Sequence, residues 1–229
     1  IDFFEFTEQQ INYLLSKQKI RTAQRYKTIA SKLSQYIKSD YLDFGDINVN
    51  FLQKYESYLA GLGNKTNTIH TNLKTIRTII YAAIKQDLLP ADKNPFLKHS
   101  LSLERTEKVR LNSEEITEIE NLGLTERDGK LYHTRNAYLF SLYCAGIRVG
   151  DLLQLTPTNI NGELLNYKMD KTEKERTIAM HRKAQEILKL YDLSDSGKPI
   201  FPFLTKADLK APKQKLLRRI SSSNAYMNK

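Results

Sequence analysis

The residues best suited to act on a phosphate group lie in the stretch AGIRVGDLLQL, residues 145–155. Gly146 tolerates a left-handed backbone, so it predicts the end of one helix and a turn into the next. Arg148 follows that turn, where backbone N–H groups at a helix start and a planar guanidinium could bind an anion together. Asp151 is expected on the same face and could hold the guanidinium in place. The alternative is an ordinary helix corner with a surface Arg–Asp pair, which would contribute under about 1 kcal/mol.

A second group of candidate residues lies in ELLNYKMDKTEKERTIAM, residues 163–180. Apolar residues at alternating positions flank a polar tip there, and this pattern predicts a β-hairpin. A lysine at such a tip, Lys171 or Lys174, could reach into a nucleic-acid groove as a hydrogen-bond donor or general acid. The alternative is a solvated, charged hairpin without a chemical role.

Basic and amide side chains on two predicted helices form a third group, opposite the apolar stripes of those helices. The candidates for DNA contact are Arg21, Thr22, Arg25, Lys65, Thr66, Asn67, His70, Lys74 and Arg77. Such side chains suit DNA phosphates and the major groove. A solvated surface is the alternative, but the net charge of +10 favours a polyanionic partner.

Composition narrows the choice of partner and compartment. The longest mostly apolar run, residues 137–147, is far shorter than the roughly 20 residues that a membrane-spanning helix needs. The first ten residues contain acids where a secretory signal has basic residues. The single cysteine, Cys144, allows no intrachain disulfide, and the four histidines show no metal-ligand spacing. We therefore expect a cytoplasmic protein without a metal or cofactor, and nucleic acid rather than a membrane as its partner.

The apolar periodicity predicts a mainly α fold with a small β-hairpin or sheet. Residues 1–90 are expected to form a four-helix domain, with helices opening near Thr7, Thr22, Asn48 or Asn50, and Thr66. Residues 91–110 lack a regular apolar pattern and are expected to be a linker. Residues 111–229 are expected to form a second domain. Its predicted elements are a capping box at Asn112 and Glu115, a buried helix over about Leu131–Cys144, the hairpin, helices at Lys183–Leu190 and near Lys206–Ile220, and a helix start at NAYMNK, residues 224–229.

The order of these features resembles the tyrosine recombinase (phage integrase) family. Residues 146–155 match that family's G-[hydrophobic]-R-x-x-[DE]-[LI]-x-x-L motif, and residues 171–174 match its hairpin motif K-T-x-K. The motifs T-x-x-x-Y at 22–26 and K-T-N-T-I-x-x-x-L-x-x-I-R at 65–77 resemble the family's SAM-like core-binding domain. The hairpin K-T and F-L-x-x-Y-E-x-Y-L at 51–59 are similar to integrases of Bacteroidetes mobile elements.

The resemblance implies a role for each motif residue. Arg148 would hold the scissile phosphate, Asp151 would support the arginine pocket, and Lys171, with Lys174 as second choice, would protonate the leaving 5′ oxygen. A tyrosine would form a 3′-phosphotyrosine intermediate without a metal. The implied setting is the bacterial cytoplasm, near the nucleoid, with a homotetramer on the double-stranded DNA of a recombination or attachment site.

The chain departs from the family pattern near its end. The family's H-x-x-R box and nucleophilic tyrosine are not found in this sequence. Tyr226 is not taken as the nucleophile, because it lies on an apparent helix start without a base or second arginine. We therefore expect residues 111–229 to be the first part of a catalytic domain, in a fragment that binds DNA and cannot cleave it. The alternatives are a non-catalytic DNA-binding regulator with this fold and a helical module whose basic face binds acidic proteins.

Overall fold

A computed structural model describes residues 1–228 and divides the chain into two compact units. The first unit is Ile1–Lys108, and the second begins at Val109. Each unit has its own apolar core. None of the helices within residues 1–228 combines the length and the apolar character that crossing a bilayer requires.

Four helices form most of the first unit. They are α1 (Phe3–Ser16), α2 (Ile20–Ile37), α3 (Val49–Gly61) and α4 (Thr66–Ile84). Their apolar stripes meet in a core that includes Phe3, Leu33, Tyr55, Leu73 and Ile76. The prediction of four helices is therefore confirmed.

The helix starts in this unit differ in part from the predicted ones. Helix α1 begins before Thr7, because the Asp2 side chain accepts a hydrogen bond from the Phe4 backbone N–H at 2.9 Å. Asn48 caps α3 as predicted. Thr22 and Thr66 lie inside α2 and α4, whose N-cap residues are Lys19 and Lys65 without a capping side-chain bond. The two threonine hydroxyls are thus not used as helix caps.

Much of the segment expected as a linker packs within the first unit. The segment has two short 3₁₀ turns at Ala91–Lys93 and Pro95–Leu97, and the side chains of Phe96 and Leu101 lie against the four-helix core. His99 is also buried. These apolar and aromatic residues have too little periodicity to predict an element, yet their burial stabilises an ordered segment.

The second unit is mainly helical with one small sheet. Its helices are α5 (Ser113–Glu120), α6 (Lys130–Tyr143), α7 (Val149–Leu152), α8 (Arg182–Leu188), α9 (Lys206–Leu209) and α10 (Lys213–Met227). The antiparallel strands β1 (Ile160–Asn161), β2 (Leu164–Lys168) and β3 (Glu175–Ala179) lie in the order β1-β2-β3. The mainly α fold, the hairpin and the Asn112–Glu115 capping box are confirmed.

The sheet presents one face to the core and the hairpin tip to solvent. In the β2–β3 register, Leu165 pairs with Ile178 and Tyr167 pairs with Arg176. Leu165 and Tyr167 are two residues apart, so they lie on the same face of the sheet, and both are buried. Strand β1 was not predicted. It has only two residues, and so short a strand leaves no alternating pattern to detect.

The end of the described chain also differs from expectation. Pro212, which cannot donate a backbone hydrogen bond inside a helix, separates α9 from α10. Helix α10 then runs to Met227, so Asn224 and Tyr226 lie on its last turns, and the prediction of a helix start there is wrong. Lys229, the last residue of that predicted start, lies outside the described residues.

A polar cluster joins α5, α6 and α8. The Glu120 carboxylate accepts hydrogen bonds from Lys183 Nζ at 2.7 and 2.8 Å and from the Tyr143 hydroxyl. The bond from Lys183 is the main cause that lowers the pKa of Glu120 below its usual value, and the Tyr143 bond adds to it. The Lys183 ammonium also lies 5.3 Å from the centre of the Tyr143 ring. These bonds stabilise the packing of the three helices against one another.

Candidate functional site

Two consecutive left-handed residues form the corner before Arg148. Ala145 has φ 58° and Gly146 has φ 75°. The Gly146 N–H donates to the Ser141 carbonyl at 2.8 Å, and the Ser141 hydroxyl donates to the Ile147 carbonyl at 2.8 Å. The predicted turn at Gly146 is confirmed, and these bonds fix where the chain leaves α6.

Arg148 is the N-cap residue of α7, and its side chain is exposed. Its guanidinium Nη1 donates a hydrogen bond to Met169 Sδ at 3.3 Å, at the end of β2. Within residues 1–228 it forms no salt bridge. Because α7 has only four residues, it adds little of the helix-start anion site that was expected. The anion-binding capacity of this corner therefore comes from the guanidinium.

Asp151 contacts the hairpin instead of Arg148. It is only 6% exposed, and its Oδ1 accepts a hydrogen bond from the Asp170 backbone N–H at 2.9 Å. Arg148 has an extended backbone with ψ 139°, so the helical i, i+3 relationship does not apply to this pair. The expected contact with the guanidinium is absent from the described part of the chain. Asp151 anchors the residue that precedes Lys171.

The hairpin turn presents Lys171 to solvent. The turn is closed by the Met169 N–H, which donates to the Lys174 carbonyl at 2.9 Å, and by the Glu173 N–H, which donates to the Met169 carbonyl at 2.8 Å. Lys171 and Lys174 are both exposed, and neither has an acid partner within residues 1–228. Lys171 directly follows the two residues that contact α7, whereas Lys174 lies across the turn. The structure thus brings Arg148 and the Lys171 turn together.

A cleft of about 450 Å³ lies beside this turn. Asp151, Gln154, Asp170 and Lys213 are among the residues that line it. Lys213, on the first turn of α10, forms an ion pair with Asp170 at 3.2 Å. Met169 and Asp170 were expected only as hairpin residues and Lys213 was not singled out, because their contacts here depend on tertiary packing that no spacing pattern records.

The predicted DNA-contact residues of α2 lie on its solvent face. Arg21, Thr22 and Arg25 are exposed, whereas Ile20 and Ala23 between them are buried. The amphipathic interpretation of α2 is therefore confirmed. Contact between these side chains and DNA stays a prediction.

Helix α4 differs from α2, because three of its predicted DNA-contact residues form hydrogen bonds with a later segment of the same chain. We call residues 102–104 the strap. Asn67 Nδ2 donates to the Glu104 carbonyl at 3.0 Å, and Asn67 Oδ1 accepts from the Glu104 N–H at 2.9 Å. The Thr66 hydroxyl donates to Glu104 Oε1 at 2.6 Å, and His70 Nδ1 lies 3.0 Å from the Ser102 carbonyl oxygen.

The rest of the predicted α4 face is unobstructed by the strap contacts. Lys65 and Lys74 are exposed, and Arg77 is half-buried. The α4 face therefore consists of exposed cations beside a segment held by hydrogen bonds. The strap could not be predicted from the sequence, because side chains that bind a distant segment leave no periodic signal.

Comparisons with known proteins agree with this architecture. Residues 2–101 match the family model described as phage integrase SAM-like domain. A curated protein of Sinorhizobium fredii, named as an integrase/recombinase, y4qK, is 27% identical over 143 residues, which are 61% of this chain and 43% of the relative. The chain thus spans less than half the length of that relative.

Solved structures share the fold. A lambda integrase dimer bound to a core site matches with a TM-score of 0.66 and 18% identity, over 98% of this chain and 82% of that chain. A Tn1549 transposon integrase in complex with circular intermediate DNA matches with a TM-score of 0.61 and 15% identity, over 90% and 68% of the two chains.

The first unit therefore has the SAM-like domain of phage integrases, and the second continues the integrase fold. The resemblance of the chain to the tyrosine recombinase (phage integrase) family therefore rests on this domain match and on the shared fold. The more specific likeness to integrases of Bacteroidetes mobile elements stays a prediction.

Proposed function

We propose that this chain binds duplex DNA and contributes to site-specific recombination, with Arg148 and Lys171 acting on the phosphate at which a strand is cut and rejoined. The main supporting observation is the contact between Arg148 and Met169, two residues before Lys171. It brings an exposed guanidinium to the turn that carries an exposed ammonium. Neither cation has an acid partner within residues 1–228, so both are available to an anion.

The chemistry suits these two residue types. The guanidinium can donate two hydrogen bonds to the non-bridging phosphate oxygens and stabilise the negative charge of the transition state. The ammonium of Lys171 can protonate the leaving 5′ oxygen as a general acid. A tyrosine attacking the phosphorus would conserve the bond energy as a 3′-phosphotyrosine, which the free 5′ hydroxyl can later reverse. That tyrosine is not assigned among the described residues.

The first unit would supply most of the DNA contacts. Arg21 and Arg25 on α2, and Lys65 and Lys74 on α4, are exposed cations on solvent faces. Each phosphate that they neutralise releases counterions from the DNA, so binding should depend strongly on salt. One of the similar solved structures is a lambda integrase tetramer bound to a Holliday junction. This supports our proposal that the chain acts as a homotetramer on DNA.

An Arg148→Ala variant tests the arginine. In the full-length protein that carries the nucleophilic tyrosine, it should weaken binding to duplex DNA and abolish the covalent adduct with a nicked recombination-site duplex. The matched control is Arg182→Ala, which removes the same charge at an exposed arginine paired with Glu186 at 3.1 Å. The measurements are affinity across a salt series and denaturing gels of the adduct. Equal adduct yields from Arg148→Ala and the wild type would refute the assignment.

A modified leaving group tests the lysine. In the same full-length protein, Lys171→Ala should lose cleavage of normal DNA but regain it when sulfur replaces the 5′ bridging oxygen, because a thiolate leaves without a proton from a general acid. Lys174→Ala is the matched control in the same turn. Rescue of Lys174→Ala rather than Lys171→Ala would transfer the general-acid role to Lys174.

A further inference from the structure

Arg148 needs an acceptor that orients it without cancelling its charge. A free arginine side chain has many rotamers, and part of this conformational entropy is lost when it binds a phosphate. A carboxylate partner would reduce that loss, but it would also compete with the phosphate for the guanidinium. Arg148 has no carboxylate partner within residues 1–228, and its described side-chain hydrogen bond goes to the uncharged Met169 sulfur.

Met169 contacts both parts of the proposed phosphate site, which are Arg148 and the turn that carries Lys171. Its sulfur accepts the hydrogen bond from Arg148 Nη1. Its backbone N–H and carbonyl make the two hydrogen bonds that close the turn carrying Lys171. The next residue, Asp170, is held through its backbone N–H by Asp151 on α7. Two neighbouring residues, Met169 and Asp170, thus connect the turn that carries Lys171 to the start of α7.

We propose that Met169 is a positioning residue for Arg148, and that its thioether serves as a neutral acceptor holding the guanidinium ready for a DNA phosphate. The inference rests on the proposed function of Arg148. A thioether is a weak acceptor, so it restricts the guanidinium yet releases it easily to a charged oxygen. The other interpretation is simple packing, because Met169 also lies against the core of the second unit.

Two substitutions separate positioning from packing. Met169→Leu keeps an apolar side chain of similar volume and removes the acceptor, whereas Met169→Gln provides an amide oxygen at similar reach. We expect Met169→Leu to weaken DNA binding about threefold, and Met169→Gln to restore it. In an Arg148→Ala background, Met169→Leu should have no further effect. Met180→Leu is the matched control, since Met180 is buried in the same core and bonds through its backbone N–H to Glu163.

Nuclear magnetic resonance of the free protein provides a measurement that does not depend on DNA. Hindered rotation of the Arg148 guanidinium should be present in the wild type and Met169→Gln, and lost in Met169→Leu, with thermal stability similar in all three. Equal DNA affinities for Met169→Leu and Met180→Leu, no restoration by Met169→Gln, or unhindered rotation in the wild type would each overturn the inference. If Arg148→Ala leaves DNA binding and adduct formation unchanged while rotation is hindered, the proposed function fails and the Arg148–Met169 contact is structural.

Discussion

Single residues in the second unit show how a short spacing pattern and a tertiary contact differ in what they predict. Gly146 alone predicts its turn, because left-handed backbone positions favour glycine. Asp151 follows Arg148 at helical spacing, yet it contacts Asp170 instead, because Arg148 lies outside the helix. The candidate residues Arg148 and Lys171 could thus be found from the sequence. Their neighbours Met169 and Lys213 could not, since no local pattern encodes them.

An Asp151→Ala variant tests the anchoring of the hairpin. The Asp170 N–H would lose its acceptor, so its hydrogen exchange should become about tenfold faster, as expected for the loss of one hydrogen bond. Asp151→Asn keeps an oxygen acceptor and should retain most of the protection. Exchange of the Met180 N–H, bonded to Glu163 at the other end of the hairpin, is the internal control. Unchanged Asp170 exchange in Asp151→Ala would contradict an anchoring role.

At the scale of helices and strands, periodic elements were predicted well and contacts between elements were not. The stripes of α2 and α4 recur every three or four residues, and the hairpin alternates, so each appears in the sequence alone. The strap and the Glu120 cluster join residues that are distant in the chain. Specific hydrogen bonds of this kind depend on how the elements pack, which a single sequence does not reveal.

The strap predicts an effect of Glu104 on DNA affinity. Its carboxylate lies at the Thr66 hydroxyl, on the first turn of α4 beside Lys65, where a DNA phosphate would be repelled. Glu104→Gln should therefore raise DNA affinity more than Glu107→Gln does. Both variants change the net charge equally, and Glu107 is exposed without a side-chain hydrogen bond among the described residues. Filter binding at low salt can compare them, and equal effects would show that only net charge matters.

The Glu120 cluster predicts a dependence of stability on pH. The pKa of Glu120 is lowered, first by the hydrogen bond from Lys183, so the cluster stabilises the fold above the unfolded-state value of about 4.3. That contribution is lost as pH falls through the lower folded-state pKa. Glu120→Gln should thus reduce the free energy of unfolding on the order of 1 kcal/mol at pH 7, and the deficit should shrink below about pH 4.

Denaturant unfolding of Glu120→Gln at several pH values measures this effect. Glu118→Gln is the control on the same helix, because Glu118 is exposed and has no side-chain partner among the described residues. A deficit of the same size at pH 3 and pH 7 would mean that the carboxylate charge is not the stabilising element.

For the whole molecule, the fold class could be predicted from the sequence, but the boundary between the two units could not. A mainly α chain with one hairpin was predicted, and the structure has that form. Residues 91–108 were expected to be linker, yet they belong to the first compact unit, because Phe96 and Leu101 pack on its core. Scattered apolar residues in an irregular segment do not predict burial, because the core against which they pack is not visible in the sequence.

The corner at Ala145 and Gly146 has a consequence for how this chain tolerates sequence variation. A Cβ atom added to Gly146 would meet no atom within 4 Å apart from its chain neighbours, so a clash at Cβ does not restrict that position. The restriction comes from φ 75°, which β-branched residues adopt at high cost and asparagine or aspartate at lower cost. A library randomised at position 146 should therefore retain Asn and Asp and reject Val and Ile, because the backbone angle decides which residues the position accepts.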